Sequence, residues 1–430
     1  MVSRAVLCLG VLMTGLLPAL RADVLRVDAG GGGDFRDLPA AVAAAADGDI
    51  LLLASGNYSG ATLDDLGVSL IGDGPNVKLN GHLVIQNLAA GKRVALSRVR
   101  VEAPVDPDIF ETTPPSLHVI DCDGAVRIER SQIFGASHAP NSGDCIGFSG
   151  WPSGAVGLWV ESSADVVLEG CSVTGGLGVE DGGFSGCLDH GSWGGTGVYV
   201  HDSRVDLHEV IATGADGGPQ GYGGVGGAGL WVAGSSDVLA SGVVAQGGQG
   251  GDSDDFLFSF MASYGGDGLR SEAGSLVRFV GGSFFAGDPG FACCWTPDPG
   301  VAQDLQGASV IYPGSPHRFL TTSPAREGES LTLSITGSVG DTALLFAGFG
   351  TLALHKPGLG GAIYVAAPFV FGPAPILPLG NGITNFELPV PELGPSFDAV
   401  LLDMQLFVQE GGGAKHLTGP AQVVLLDASF

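Results

Sequence analysis

Positive charge is the scarcest property of this 430-residue chain: 18 Lys and Arg stand against 45 Asp and Glu, a formal net charge of −27. That deficit excludes the broad basic face through which proteins hold nucleic acid or an anionic membrane. Long apolar runs are also missing. The longest, Ala5 to Leu20, follows Arg4 and precedes the small residue Ala22, and it is shorter than the roughly 20 residues a spanning helix needs. The pattern is that of a secretory signal peptide over residues 1–22, with no membrane span elsewhere. Helical periodicity is rare, and the 74 glycines lack the every-third spacing of collagen. A secreted, soluble, monomeric protein, extracellular or attached to a cell surface, is expected. Its acidity suits a calcium-rich or saline exterior.

Cysteine is sparse but even in number once Cys8 leaves with the leader. Cys122, Cys145, Cys171, Cys187, Cys293 and Cys294 remain, and in an oxidising compartment they are expected to form disulfides whose pairing the sequence does not define. The adjacent Cys293 and Cys294 fit either a strained vicinal bridge or two separate partners.

What the chain has in abundance is repetition. GLWV (157–160), GVYV (197–200), GLWV (229–232) and GLRS (268–271) follow one another at steps of 40, 32 and 39 residues. Eight or nine residues after each comes a second apolar alternation, beginning at Val166, Val205, Val238 and Leu276. A third short piece follows (CSVTGG, VIATGA, VVAQGG, SFFAGD), then a glycine-rich insert. Three short strands per unit in fixed order, with variable inserts, predict stacked coils paired through ladders spaced ~4.8 Å. Such a stack buries its core only between coils and needs its ends covered. The helix signal at the mature start fits that need: Asp37 as N-cap, Pro39 in the first turn, Leu38, Ala41, Val42 and Ala45 facing inward, and Asp47-Gly48 as the stop before Ile50.

Gly33-Asp34-Phe35, Leu38, Ala41-Val42, Gly48-Asp49-Ile50, Gly56 and Tyr58, with the unit SSADVVLEGCSVTGG (162–176), resemble the entry segment and coil repeats of the pectate lyase-like right-handed parallel β-helix superfamily. The resemblance implies an all-β fold, a right-handed parallel β-helix with an N-terminal cap helix. It covers about residues 24–315 of a domain placed at 23–315. That superfamily includes polysaccharide lyases, glycosidases, pectin esterases and many non-enzymatic surface proteins. The aspartate motifs of its pectin hydrolases and the glutamine and aspartate set of its esterases are missing here. From about Pro316 the alternation lengthens, as at Leu331, Leu333, Ile335 and Leu401 to Val408, between turns at Gly337, Gly358, Gly380 and Gly394. A small antiparallel β-sandwich is expected over 316–430, similar to the C-terminal sandwiches of secreted bacterial proteins and covering the far end of the coils.

Strand alternation selects the candidate site. With Leu158 and Val160, Val198 and Val200, and Leu230 and Val232 pointing in, the residues between them point out: Trp159, Tyr199, Trp231 and, one coil on, Arg270. A column of rings ending in a guanidinium suits the C–H faces of a polysaccharide and one of its acidic groups. Alternatively the glycine-rich inserts fold back and bury the rings as a second core. A further outward column, Glu129, Glu169 and His208 with Arg127 and Asp206 alongside, would set carboxylates ~5 Å apart, near the spacing of retaining glycosidases; a solvated strand face accounts for it as well. Asp252, Asp254 and Asp255, with Asp267, are candidate calcium ligands. The family's lyases pair calcium with an arginine base, a role Arg270 would take. Asp189-His190 is a candidate acid/base pair. Two functions compete: a non-catalytic carbohydrate-binding protein, or a calcium-dependent polysaccharide lyase or glycoside hydrolase using the same groove.

Overall fold

The computed structural model describes residues 22–104, 114–137, 154–178, 191–219, 223–253, 263–291, 297–349, 351–355, 361–365, 369–370, 376–393 and 397–430. Cys145, Cys187, Cys293, Cys294, Asp189-His190, Asp254 and Asp255 lie outside them, as does the leader up to residue 21. The fold is all-β, and Leu38–Ala44 is the one helix among the described residues. Two long parallel sheets dominate, one of ten strands and one of 14. The chain visits them in rotation, so that strands neighbouring in space are separated in sequence by a whole unit. This is a β-helix-like stack.

The expected registers are found. Leu158 pairs with Leu117 on one side and Val198 on the other, then Val198 with Leu230 and Leu230 with Leu269. The middle strands stack in the same way, with Val126, Val166, Val205, Val238 and Val277 in one column. Every inward residue of these columns is buried in one continuous core, each contributing about 1.5–3 kcal/mol. The tight turns share one device. Arg98, Arg130, Gly170, Glu209, Gly242 and Gly281 all have φ between +45° and +66° where a middle strand turns into a third strand. Asp121, Ser162, Asp202 and Gly234 repeat the left-handed conformation one corner earlier.

The described parts of the glycine-rich inserts form two packed layers of extended chain. Within a layer, Gly214 N donates to Gln246 O and Gly217 N to Gln249 O, each at 2.8 Å. Between layers, Ala215 N donates to Gly195 O at 2.9 Å and Gly218 N to Ser192 O at 2.8 Å. Exposure recurs at every third residue, as at Gln246, Gln249 and Asp252, which is the three-residue turn of a polyproline-II chain. The layers meet so closely that a Cβ at Gly227 would strike the carbonyl oxygen of Gly195, and one at Gly248 that of Ala215. Glycine is required there because only a hydrogen fits between the chains.

A strand not anticipated from the sequence, Val24–Val27, precedes the helix and pairs in parallel with Ile50–Leu53. Asp37 Oδ1 accepts from Leu38 N at 2.9 Å, and Leu38 and Ala41 are buried with Val27, Leu51 and Tyr58. C-terminal residues form a second core: Ser330–Gly337 pairs antiparallel with Gly382–Pro389, and Ala399–Gln409 with Thr342–Gly348 and Ala421–Leu426. These sheets do not cover the far end of the stack, as had been expected. They lie along its flank, over the outer face of the ten-stranded sheet, where Ala399, Val424 and Leu426 pack on Val24, Ile50, Leu52 and Ile71. Arg93 pairs with Asp403 at 2.6 Å and Arg326 with Asp73 at 2.7 Å across the same seam. At the far end, Ser283–Phe285, Gln303–Leu305 and Ala308–Ile311 terminate their sheets, and Ile311 is 78% exposed.

The expected disulfides do not include the two described cysteines. Cys122 and Cys171 are separate free thiols in the core. Their S–H groups point at Ile120 O and Ile128 O, each at 3.3 Å, and burial pushes the Cys171 thiol up to about 12. These two occupy small apolar positions of the stack.

Candidate functional site

The outward column on the first strands is in register from coil to coil: His118, Trp159, Tyr199, Trp231, Arg270 and Asp304 are successive Cα partners. Ring centroids follow at 5.4 Å from His118 to Trp159, 5.2 Å to Tyr199 and 5.1 Å to Trp231. The Arg270 guanidinium lies 4.5 Å from the centre of the Trp231 ring. The three aromatic neighbours meet tilted or edge to face rather than as parallel plates, which is the arrangement their quadrupoles favour. All six residues of the column are half-buried.

Polar groups rim the strip. Trp231 Nε1 donates to Glu272 Oε1 at 3.0 Å, whereas Trp159 Nε1 makes no hydrogen bond among the described residues. Glu161 Oε2 is 3.8 Å from His118 Nε2. Burial lowers the His118 pKa despite Glu161, and burial followed by Glu272 and Glu161 raises that of Tyr199. His118, Glu161, His201 and Glu272 escaped the sequence reading, although LHV at 117–119 aligns with the LWV and VYV units. Two more exposed aromatics lie on the returning layer. Trp193 and Tyr264, 42% and 49% exposed, precede Tyr199 and Arg270 by two polyproline-II turns and so share their outward side. A three-residue period would have revealed them.

The two described acidic candidates, Asp252 and Asp267, sit on different layers. Asp252 Oδ1 accepts from Phe291 N at 2.7 Å on the outgoing layer, and Asp267 Oδ1 from Val301 N at 2.8 Å on the returning one. Each carboxylate caps the next coil, as Asp216 does for Gln249 N at 2.7 Å. Among the described residues, no three His, Cys, Asp or Glu side chains converge to hold a metal.

The second outward column is not a solvated face. Glu129, Glu169, His208, Arg127 and Asp206 are all buried beneath the C-terminal sheets. Arg127 grips Asp165 with both arms at 2.9 Å, and Gln422 N donates to Glu129 Oε1 at 2.6 Å. Tyr364 OH donates to Asp206 and lies 3.3 Å from His208 Nε2. Neither oxygen of Glu169 has a hydrogen-bond partner among the described residues, and Gly419 passes so close that a side chain there would overlap it. Burial pushes the carboxyl groups of Glu129 and Asp206 up to about 7 and that of Glu169 well above its ordinary value. Burial, then Arg127, drives His208 down to about 3. Closed to substrate, this column is a docking surface and not a glycosidase pair.

No protein-family model matches the chain, and no curated protein matches it.

Proposed function

We propose that the protein binds polysaccharide along the column Trp159, Tyr199, Trp231 and Arg270 without cleaving it. The observation that carries this reading is the continuous, half-exposed aromatic strip with its guanidinium end, held in register by rigid strands. Sugar C–H faces pack on such rings, while Glu161, His201 and Glu272 offer hydrogen-bond partners for hydroxyls. In this reading the molecule is a secreted or surface-associated monomer. Residues 23–315 form a right-handed parallel β-helix of the pectate lyase-like superfamily, capped by the helix Leu38–Ala44. Residues 1–22 are its signal peptide, and 316–430 a β-sandwich.

Affinity electrophoresis against acidic and neutral polysaccharides tests the proposal with Trp159→Ala combined with Trp231→Ala. Each ring should contribute on the order of 1 kcal/mol, so the double variant should lose about tenfold or more in affinity. Retention unchanged from wild type on every polymer would defeat the proposal. Unsaturated products detected by their ultraviolet absorbance and disappearing in Arg270→Ala would replace binding with lyase activity, the arginine acting as the base.

A further inference from the structure

On the opposite side of the stack, where middle strands turn into third strands, a groove of 620 Å³ is lined by Lys78, Arg98, Arg100 and Arg130 together with Asn57, Asn76 and Gln132. A second compartment of 400 Å³ adjoins it, sharing Arg130 and Gln132 and adding Arg318. In a chain where acids outnumber bases 45 to 18, five cations therefore meet in one concavity. Among the described residues no Asp or Glu lines the first compartment, and Glu209 is the one acid lining the second.

The cations are placed by the coil repeat. Lys78 and Arg100 are Cα partners on adjacent strands, and Gln132 continues that column. Arg98 and Arg130 occupy the left-handed turn position one coil apart, a spacing of ~4.8 Å. Some of their donors are committed. Arg98 Nη1 donates to Ser323 O at 2.9 Å and Arg130 Nη1 to Thr321 O, while Glu102 holds Lys78 and Arg100, each at 2.9 Å. Others are not: Arg130 Nη2 and Arg318 Nε are buried without a hydrogen bond among the described residues, and Glu129 Oε2 lies 3.8 Å from that Nη2. Burial pushes the Glu209 carboxyl up from its ordinary value, which weakens the one acid lining the second compartment. Two stacked guanidinium groups lining a compartment without a carboxylate in its wall are a receptor for an oxyanion, which accepts from planar forks of this kind.

We propose that this groove is an anion-binding site for carboxylate or sulfate groups, distinct from the aromatic strip. Sodium sulfate represents the free ion and sodium polygalacturonate a carboxylate polymer. Each is titrated calorimetrically into the full chain at fixed ionic strength, with sodium chloride as the reference. Saturable binding of the polymer alone assigns the groove to a polyanion, and binding of both assigns it to any oxyanion. Lys78→Gln with Arg100→Gln should weaken binding roughly tenfold or more, since hydrogen bonds to charged groups are lost. Gln132→Lys, on an exposed position of the same column, should strengthen it several-fold and stays informative if the double variant folds poorly. Trp159→Ala with Trp231→Ala should leave sulfate binding unchanged, which separates this site from the aromatic one. No heat with either anion, or equal affinity in the wild type and both groove variants, overturns the proposal.

Discussion

Raising the pH from 5 to 8 should loosen the C-terminal sheets from the flank of the stack. The seam encloses Glu129 and Asp206, whose carboxyl groups are raised to about 7 from 4.5 and 3.8. The folded state therefore holds protons that the unfolded chain has released. A carboxyl shifted in this direction stabilises fully below its unfolded pKa, and the contribution is lost as pH rises through 7. Between pH 5 and 8 the loss is about 2.5 kcal/mol for each. His208 acts in the opposite sense. Depressed to about 3 from 6.5, it contributes fully above pH 6.5 and less below, returning about 2 kcal/mol over the same range. The net loss is about 3 kcal/mol, roughly 2 of it between pH 5 and 6.5 and about 1 between pH 6.5 and 8, and Glu169, raised well above 4.5, adds to it. Arg127, Arg130 and Arg318 face these carboxyls, and since a guanidinium does not deprotonate in proteins they do not change the sign. If the C-terminal ~115 residues melt separately, the midpoint should fall by ~12 °C, and if the whole chain melts as one, by ~4 °C. Calorimetric melts at constant ionic strength measure it, with Glu129→Gln and Asp206→Asn combined as the comparison. A midpoint that is flat or rises from pH 6.5 to 8, or an equal slope in the double variant, refutes the reasoning.

Gly227→Ala should lower stability by about 1–3 kcal/mol, because its Cβ meets the Gly195 carbonyl of the facing layer, while Gln249→Ala on the exposed position should stay within about 0.5 kcal/mol; equal melting points for the two would remove the close-packed layers. Asp267→Asn should leave any calcium heat of the chain unchanged, because Asp267 and Asp252 cap successive coils from different layers; a lost calorimetric signal would place Asp267 at a metal.

Much of the coil stack was legible from alternation alone. Leu158, Val198, Leu230 and Leu269 announce an inward column because a strand has only two sides, and a core of this shape admits one of them. The same rule put Trp159, Tyr199, Trp231 and Arg270 in register, since one column fixes the next. Two things were not legible. The polyproline-II layers were hidden because their period of three is confined to runs of a few residues, each too short to stand out against glycine elsewhere. The fate of the other outward column was hidden more deeply. Glu129, Glu169 and His208 sit on a strand face by local rules, and local rules say nothing of what packs upon it. Only the tertiary structure lays Tyr364, Gly419 and Gln422 across that face, because burial there depends on contacts between residues more than 150 positions apart, which neither strand encodes by itself.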